Sequence, residues 1–291
     1  MLPTPCTSHV SFDTIYEPSE DSYLFLDTLS STSESTWLKE RFNASTSSSS
    51  DPSTNPSPTT SSPSASPLII EVGTGSGVVL GFVAGNSHEI LGRRDILTLG
   101  IDVNRNACLA TKETVQKAIQ ERQADPLPNA DPSNPAPNQR TKTIYTSSIT
   151  SDLLSSIRPA SVDILLFNPP YVPTEDLPRI PSATEQDRAT EEGLTRSEKF
   201  DRESYFLSLT YAGGKDGMET TDRLIEQIPE VLEPTRGVAY VLLCAQNRPG
   251  EVRERIRGWG GAWRAEFVGN SGVQAGWEKL VILRVWREGI D

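Results

Sequence analysis

The sequence contains few of the residues that bind metals or form disulfides, with three cysteines and two histidines among 291 residues. The cysteines, Cys6, Cys108 and Cys244, are odd in number and lie far apart, so they indicate neither a disulfide framework nor a zinc motif. Because only His9 and His88 accompany them, we expect no intrinsic metal site.

Basic residues and long apolar runs are also scarce. The chain has 27 Lys and Arg residues and 39 Asp and Glu residues, which gives a formal net charge of −12. This charge argues against a protein that binds nucleic acid mainly through contacts with the phosphates. No stretch approaches the roughly 18 apolar residues of a membrane span, so we expect no membrane partner. The first residues lack the basic and apolar regions of a signal peptide. We therefore expect a cytoplasmic protein, with the nucleus as a second location.

Apolar residues make up 35% of the chain and are concentrated in a few blocks, which indicates a normal core diluted by polar insertions. Residues 44–67 are almost entirely Ser, Thr and Pro and cannot bury enough apolar surface to order themselves. Residues 123–140 are polar and proline-rich, and residues 174–204 are rich in charge without apolar periodicity. We predict a single domain over residues 1–291 with insertions at about 44–67, 123–140 and 179–204.

The apolar blocks alternate between strand and helix patterns. Strands are predicted at 68–73, 96–102, 142–148, 162–167, 237–244, 265–268 and 279–286. Helices are predicted from a start at 16–29, with Pro18 in the first turn, and at 107–120, 218–232 and 252–259. The alternation, with a final pair of strands, predicts one doubly wound α/β domain.

A glycine-rich turn follows the first predicted strand. Gly73, Gly75 and Gly77 stand at alternate positions, with Glu71 two residues before the first, and such a turn brings the backbone close to a nucleotide-like ligand. A dinucleotide fingerprint would have glycine at position 78, where this chain has Val78, which argues against a nicotinamide dehydrogenase. A carboxylate at Glu71 repels a pyrophosphate but accepts from an ammonium group. The pattern favours S-adenosylmethionine, which has an amino-acid end and no phosphates.

Acidic residues lie at the ends of the next two predicted strands. Asp102, followed by Val103, closes the second strand, where one carboxylate can accept from both hydroxyls of a ribose. The same position also suits a helix N-cap, and the two roles can coexist. Asp152, after the third strand, can accept from the exocyclic amine of an adenine with Leu153 along the ring, although a loop carboxylate is more often simply solvated.

The tetrapeptide Asn168-Pro169-Pro170-Tyr171 follows the predicted buried strand 162–167. Neither proline can donate to a ladder, and the first keeps Asn168 out of the α region. The result is a stiff corner at the ligand-binding edge of the sheet, with an ordinary surface turn as the alternative. Beside a bound methyl donor, the Asn168 side-chain oxygen and the Pro169 carbonyl would accept the two N–H bonds of a planar amide or aminopurine, and Tyr171 would offer a stacking face.

These segments occur in the order and spacing of a known family, and the chain resembles the HemK-like release-factor glutamine methyltransferases. The residues that carry the resemblance are Tyr16-Glu17-Pro18-Ser19-Glu20-Asp21-Ser22, Glu71-Val72-Gly73-Thr74-Gly75-Ser76-Gly77, Asp102-Val103-Asn104, Ser151-Asp152-Leu153 and Asn168-Pro169-Pro170-Tyr171. The glycine cluster (residues 211–217), which predicts a lid, a substrate loop or a plain turn, makes the likeness more specific. The likeness covers most of the chain outside the three insertions and is nearest to the eukaryotic branch.

The resemblance implies a Rossmann-like class I methyltransferase fold, with a seven-stranded, mostly parallel sheet, an antiparallel C-terminal strand and helices on both faces. It implies S-adenosylmethionine-dependent N5-methylation of the glutamine in the Gly-Gly-Gln loop of the eukaryotic class I release factor, in translation termination. The cofactor site is then predicted to comprise Tyr16, Ser22, Glu71, Gly73, Thr74, Gly75, Gly77, Asp102, Val103, Asp152, Leu153 and Asn168. Asn168, Pro169, Pro170 and Tyr171 are predicted to hold the substrate amide.

The resemblance also implies a partner, a small zinc-binding activator protein that forms an obligate heterodimer with the catalytic subunit. In the usual strand order of this fold the third strand, 142–148, lies at the sheet edge. An open edge with Ile144 and Tyr145 invites pairing with another chain, so we predict that the activator binds there.

Alternative functions differ in the acceptor or in the chemistry. An adenine-N6 methyltransferase of DNA or RNA uses the same tetrapeptide but should carry a basic target-recognition region, which this acidic chain lacks. Protein lysine methylation is a secondary candidate, because a lysine amine does not need two planar acceptors. An inactive cofactor-binding subunit is the non-enzyme alternative, against which the intact Asn168 and Glu71 argue.

Overall fold

The computed structural model describes residues 2–43, 65–125, 142–182, 194–272 and 279–288. Most of the first two predicted insertions, and residues 183–193 of the third, lie outside the described residues. The prediction of one domain over the whole chain therefore stays a prediction. Within the described ranges, no helix has both the length and the apolar composition needed to cross a bilayer.

Strands and helices alternate along the described chain. The strands are β1 (Leu68–Val72), β2 (Leu97–Asp102), β3 (Ile144–Thr150), β4 (Ile164–Phe167), β5 (Val238–Cys244), β6 (Trp263–Asn270) and β7 (Leu280–Arg287). The helices are α1 (Glu20–Ser30), α2 (Thr32–Asn43), α3 (Val78–Gly85), α4 (Ser87–Leu91), α5 (Arg105–Arg122), α6 (Arg196–Tyr211), α7 (Glu219–Val231) and α8 (Pro249–Arg257).

The strands form one seven-stranded sheet in the order β3-β2-β1-β4-β5-β7-β6. Strands β3, β2, β1, β4 and β5 are parallel, and β7 runs antiparallel to both of its neighbours. Val72, at the end of β1, pairs with Ile101 on one side and Phe167 on the other. This register brings Asp102 and Asn168 together at the carboxyl edge, where ligands bind in α/β sheets.

Both faces of the sheet are covered, which confirms the predicted fold class. Ile69, Leu166 and Tyr240 belong to a buried cluster with side chains from α1 to α5. On the other face, Ile70 and Leu165 belong to a cluster with side chains from α7 and α8. Because β4 and β5 are buried along their whole length, they appear in the sequence as continuous apolar runs rather than alternating ones.

A buried ionic cluster fastens α2 to the C-terminal strands. Glu34 accepts hydrogen bonds from Arg284 at 2.9 and 3.0 Å and from the Tyr240 hydroxyl. The guanidinium carbon of Arg284 lies 4.0 Å from the ring centroid of Trp37 and 4.6 Å from that of Trp286. Burial and the charge of Glu34 raise the pKa of Tyr240 well above its usual value. Since α1 leads directly into α2, the cluster also secures the helix that carries Asp21 and Ser22 to the site.

Helices α1 and α6 differ from the sequence expectations, and α2 and α4 lie where no helix is predicted from the sequence. Helix α1 begins at Glu20 with Ser19 at its N-cap, so Pro18 precedes the helix and the prediction that it lies in the first turn is wrong. The pattern of residues 174–204 gives no sign of a helix, yet Arg196–Tyr211 forms α6. A capping box between Thr195 and Glu198 begins this helix, and only Phe206 of its residues is buried, which explains the missing periodicity.

Candidate active site

A cavity opens at the carboxyl edge of β1, β2 and β4. Most of the predicted site residues line it: Tyr16, Ser22, Glu71, Gly73, Thr74, Gly75, Asp102, Val103, Asp152, Leu153, Asn168, Pro169 and Pro170. Asp21 lies in the wall beside them. Two predicted residues, Gly77 and Tyr171, are not part of the lining. The structure thus brings nearly all of the predicted site into one place.

The glycine turn (residues 73–77) forms the floor of the cavity. A Cβ added at Gly75 would meet no atom within 4 Å, so the space above this glycine is open to a ligand. Gly77 serves packing instead, because its φ is +75° and an added Cβ would lie 2.6 Å from the Cα of Thr111 on α5. The Thr74 hydroxyl is buried without a hydrogen-bond partner in the described structure, which leaves it free for a ligand.

Glu71 lies in the cavity wall and is 3% exposed. Its Oε2 accepts from the Leu80 amide at 2.9 Å, in the first turn of α3, where a carboxylate complements the positive helix end. Burial raises the pKa of Glu71 well above its usual value. The residue therefore has a structural role in α3 and also places a carboxyl group that a cationic ligand would ionise.

Asp102 connects the glycine turn to the loop after β2. Its Oδ2 accepts from the Gly75 amide at 3.0 Å and its Oδ1 from the Asn104 amide at 2.8 Å. Burial raises the pKa of Asp102 despite these bonds. The N-cap of α5 is Asn104, whose side chain accepts from the Asn106 amide at 3.0 Å, so the alternative that Asp102 is the cap is wrong.

Asp152 and Leu153 stand on the far side of the cavity. The Asp152 carboxylate accepts from Arg223 of α7 at 2.5 Å, and both side chains are partly exposed. Leu153 is 5% exposed and has a positive φ of 49°. The loop after β3 therefore places an apolar side chain in the wall, with the carboxylate shared with an arginine rather than simply solvated.

At the acceptor corner (residues 168–171), an acid orients the asparagine. Asn168 Nδ2 donates to Asp21 Oδ2 at 3.0 Å, and Asp21 is 4% exposed. The other oxygen of Asp21 accepts from the Ser22 amide at 2.6 Å. Because Nδ2 is engaged, the Asn168 Oδ1 remains the available acceptor, and it is buried with no partner among the described residues.

Comparison with known proteins identifies the chain's relatives. No family model matches the sequence. The eRF1 methyltransferase catalytic subunit mtq2 of Schizosaccharomyces pombe is 30% identical over 296 residues, covering 99% of this chain and 97% of that protein. The chain belongs to this methyltransferase family. Methyltransferase HEMK2 of Mus musculus is 27% identical over 291 residues, covering 97% of this chain and 96% of its own length.

A solved structure, the Mtq2–Trm112 complex of E. cuniculi, superposes with a TM-score of 0.48 and 20% identity, covering 94% of this chain and 99% of that one. Membership in the mtq2 family confirms both the resemblance inferred from the motifs and the prediction that the protein is a methyltransferase.

In this mtq2-family chain, the glycine cluster is a fixed turn behind the acceptor corner. The Val172 amide donates to the Tyr211 carbonyl at 2.9 Å, and the Gly213 amide donates back to the Val172 carbonyl at 2.8 Å. The Thr174 amide donates to the Gly214 carbonyl at 3.0 Å. Of the interpretations offered by the sequence, the hydrogen bonds favour the plain turn.

The second wall of the cavity is apolar and comes from a part of the chain to which no motif points. Leu177, Ile180, Phe206 and Leu209 line it, from the segment after the acceptor corner and from α6. The Tyr205 hydroxyl donates to the Arg179 carbonyl at 2.5 Å, which ties the segment to the helix. The cavity thus has an acidic half beside the glycine turn and an apolar half beside the corner.

Two residues need a different account from the one the sequence suggests. Tyr171 packs against the core on the α1–α5 face of the sheet rather than lining the cavity, so its stacking role stays a prediction without geometric support. Asp21 is absent from the predicted site residues, and its contact with Asn168 was not predicted from the sequence. The sequence signal that could have pointed to Asp21 is its position in residues 16–22, a segment that carries the family resemblance.

The cavity fits a methyl-donor cofactor with an amino-acid end, a ribose and an adenine. Its acidic half supplies Glu71, Asp102 and Asp152, and the unpartnered Thr74 hydroxyl supplies a further polar contact. Within the described residues, no group of three or more His, Cys, Asp and Glu side chains is placed to hold a metal ion.

Proposed function

We propose that the protein transfers the methyl group of S-adenosylmethionine to N5 of the glutamine in the Gly-Gly-Gln loop of the eukaryotic class I release factor. The observation that carries the proposal is the pairing of Asn168 with Asp21, which leaves one buried amide oxygen beside the cavity without a partner among the described residues. A planar amide nitrogen needs such an acceptor. The substrate follows from the name of the mtq2 relative, which acts on eRF1.

The acidic half of the cavity would hold the cofactor. We assign the ammonium group to Glu71, the ribose hydroxyls to Asp102 and Val103, and the adenine to Asp152 and Leu153. Tyr16, Ser22 and the glycine turn, which line the same cavity, would complete the enclosure. When bound there, the cofactor supplies an electrophilic methyl group on a positively charged sulfur.

The acceptor corner would make the substrate nitrogen reactive. The lone pair of a glutamine amide is delocalised, so the nitrogen is a poor nucleophile. Asn168 Oδ1 and the Pro169 carbonyl would accept hydrogen bonds from its two N–H groups, which favours a pyramidal nitrogen with a directed lone pair. As the nitrogen gains the methyl group it would lose one of these two protons to solvent, and the sulfonium would leave as a neutral thioether. Asp21 prevents the Asn168 amide from turning, because the reverse orientation would place two oxygens against each other. Prearranged acceptors of this kind act through positioning and electrostatics.

The apolar half of the cavity supports an uncharged acceptor. Leu177, Phe206 and Leu209 would exclude water around the reacting amide. A desolvated site strengthens the hydrogen bonds to Asn168, and it disfavours a charged lysine ammonium. Glutamine is therefore the acceptor that best matches the apolar half of the cavity and the acceptor corner.

One assay separates the candidate acceptors. Labelled methyl transfer is measured with a recombinant class I release factor, its Gln→Ala variant in the Gly-Gly-Gln loop, a lysine-rich protein and adenine-containing oligonucleotides. We expect label in the release factor and none in its Gln→Ala variant. Label confined to nucleic acid or to lysine would overturn the assignment.

We propose that the reaction takes place in the cytoplasm, with the nucleus as a second location, which fractionation of tagged protein would test.

We further propose that a small zinc-binding activator pairs with β3. This strand ends the sheet, and Ile144 is 53% exposed. Residues 151–163, which connect β3 to β4, form turns, bends and a single bridge rather than a helix, so no helix from this connection covers β3. Among the described residues no strand pairs with the outer edge of β3, and an open strand edge is suited to β-augmentation by another chain.

Co-expression tests this partner. We expect the protein to be insoluble or inactive alone and to elute as a heterodimer with a zinc-binding activator. Ile144→Lys should disrupt the complex, whereas Phe200→Lys, at an exposed apolar residue on α6, serves as the matched control. A well-behaved monomer with full activity would contradict the proposal.

A further inference from the structure

The acceptor corner has a structural problem that its own sequence creates. Pro169 and Pro170 have no N–H, so the chain after β4 cannot be held by ladder bonds donated from these residues. Each proline has only its carbonyl to offer as a hydrogen-bonding group. The proposed function assigns the Pro169 carbonyl to the substrate. The geometry of the corner must therefore depend on donors supplied from elsewhere in the fold.

Asn247 supplies such a donor from the loop after β5. Its Nδ2 lies 3.2 Å from the Tyr171 carbonyl, 3.0 Å from the Asp216 carbonyl and 3.3 Å from that of Gly217. Its Oδ1 accepts from the Cys244 amide at 2.8 Å, which fixes the orientation of the side-chain amide. Asn247 is 2% exposed, so its two N–H bonds are directed at these carbonyls away from bulk water.

The elements that meet at Asn247 leave no space for adjustment. Gly217 has a φ of +69°, and an added Cβ would lie 2.1 Å from the Tyr171 carbonyl and 2.8 Å from Asn247 Nδ2. Asp216 has a positive φ of 57°, a conformation that residues with a side chain adopt infrequently. Its carbonyl accepts from Asn247, and this bond helps to hold the turn against the corner.

We propose that Asn247 is a positioning residue for methyl transfer: it holds the Tyr171 carbonyl and the glycine cluster so that Asn168 and Pro169 stay in register with the cavity. The proposal rests on the proposed function for its kinetic readout. It assigns Asn247 no contact with substrate or cofactor, since Asn247 does not line the cavity.

Asn247→Asp is the informative substitution. It keeps the size of the side chain and the oxygen that accepts from Cys244, and it replaces the two N–H bonds with an oxygen facing three carbonyls. Gln246→Glu is the matched control, because it makes the same amide-to-acid change at an exposed neighbour. Asn247→Ser, which shortens the donor without adding charge, covers the case in which Asn247→Asp does not accumulate as folded protein.

We expect kcat for glutamine methylation to fall about 10²-fold in Asn247→Asp, because a displacement of the acceptor corner by about 1 Å can cause a loss of this size. The Kd for S-adenosylmethionine should stay within about threefold of the wild-type value. The ratio of variant to wild-type kcat should rise as the pH falls, because protonation of the introduced carboxylate restores one donor. Gln246→Glu should match the wild type in both constants. Unchanged kcat in both Asn247 variants, or an equal loss of cofactor affinity, would overturn the proposal.

Hydrogen exchange provides a readout that needs no substrate. In Asn247→Asp the amides of residues 172–174 and 211–219 should exchange faster, while those of β1 and β2 keep their protection. Exchange that is unchanged, or faster throughout the sheet, would refute a local positioning role. If the wild type methylates no glutamine, the proposed function fails, and this exchange pattern still decides the role of Asn247.

Discussion

The contact between Asp21 and Asn168 can be tested by exchanging the two groups. Asn168→Asp would set two carboxylates at the 3.0 Å now spanned by Nδ2 and Oδ2. With an effective dielectric constant of about 20, two unit charges at that distance repel by roughly 5–6 kcal/mol. Keeping one carboxyl protonated at pH 7 costs about 4 kcal/mol. The folded variant therefore binds a proton that its unfolded chain releases.

This linkage sets the sign and the size of the effect. Because the folded Asn168→Asp variant holds the extra proton, its stability falls as the pH rises above about 4. We expect a loss of up to about 4 kcal/mol at pH 7 and close to none at pH 4. In Asp21→Asn/Asn168→Asp the amide donates to the carboxylate from the opposite side, so the double variant should recover most of this loss.

Urea unfolding of the wild type, both single variants and the double variant at pH 5 and pH 7 gives the coupling energy directly. Asp27→Asn, which removes an exposed acid from the same helix, should change stability by less than about 0.5 kcal/mol. If Asn168→Asp shows no destabilisation that grows with pH, or if the double variant recovers no stability, the contact does not orient Asn168.

The catalytic role of Asn168 is tested separately with Asn168→Ala, which should lose about 10²-fold in kcat. Near-wild-type turnover of this variant would refute the catalytic assignment.

Three further predictions concern the cofactor site and the core. Because the pKa of Glu71 is raised, binding of an ammonium group should release a proton from this carboxyl group. The affinity for S-adenosylmethionine should therefore increase with pH up to the pKa of Glu71. Calorimetry on Glu71→Gln should find weaker binding that does not depend on pH in this way. Arg284→Met leaves the charge of Glu34 buried and unpaired, so chemical denaturation should show a loss of about 3–5 kcal/mol. Gly77→Ala forces a Cβ to within 2.6 Å of Thr111 Cα and should lower the Tm by several degrees, whereas Gly250→Ala, where an added Cβ meets no atom within 4 Å, should not.

The parts of the fold that the sequence predicts are those whose cause is local. The strand at 68–72, the glycine turn and the start of α3 are adjacent in the chain, so apolar content and glycine spacing specify them together. Likewise, the run before Asn168 is continuous because β4 is buried on both faces. The cavity could be located in advance because the carboxyl ends of parallel strands meet at one edge.

The parts that escape prediction depend on partners distant in the chain. Helix α6 buries only Phe206, so it leaves no apolar stripe, although it forms a wall of the cavity. In α2, a buried Glu34 is stabilised by Arg284, 250 residues away. A local pattern that looks polar can therefore be part of the core or the site when its partner comes from another element.

The same reasoning explains why the tetrapeptide alone does not define an amide-methylating site. Prolines restrict the backbone at positions 169 and 170, but nothing in the corner chooses between the two orientations of the Asn168 amide. That choice comes from Asp21, 147 residues earlier, and the corner's last carbonyl is held by Asn247, 76 residues later. If the donors and acceptors outside the motif set its chemistry, then proteins that share the tetrapeptide but lack an acid equivalent to Asp21 should present the amide differently. Asp21 is thus the residue to check before a methylation function is inferred from these four residues.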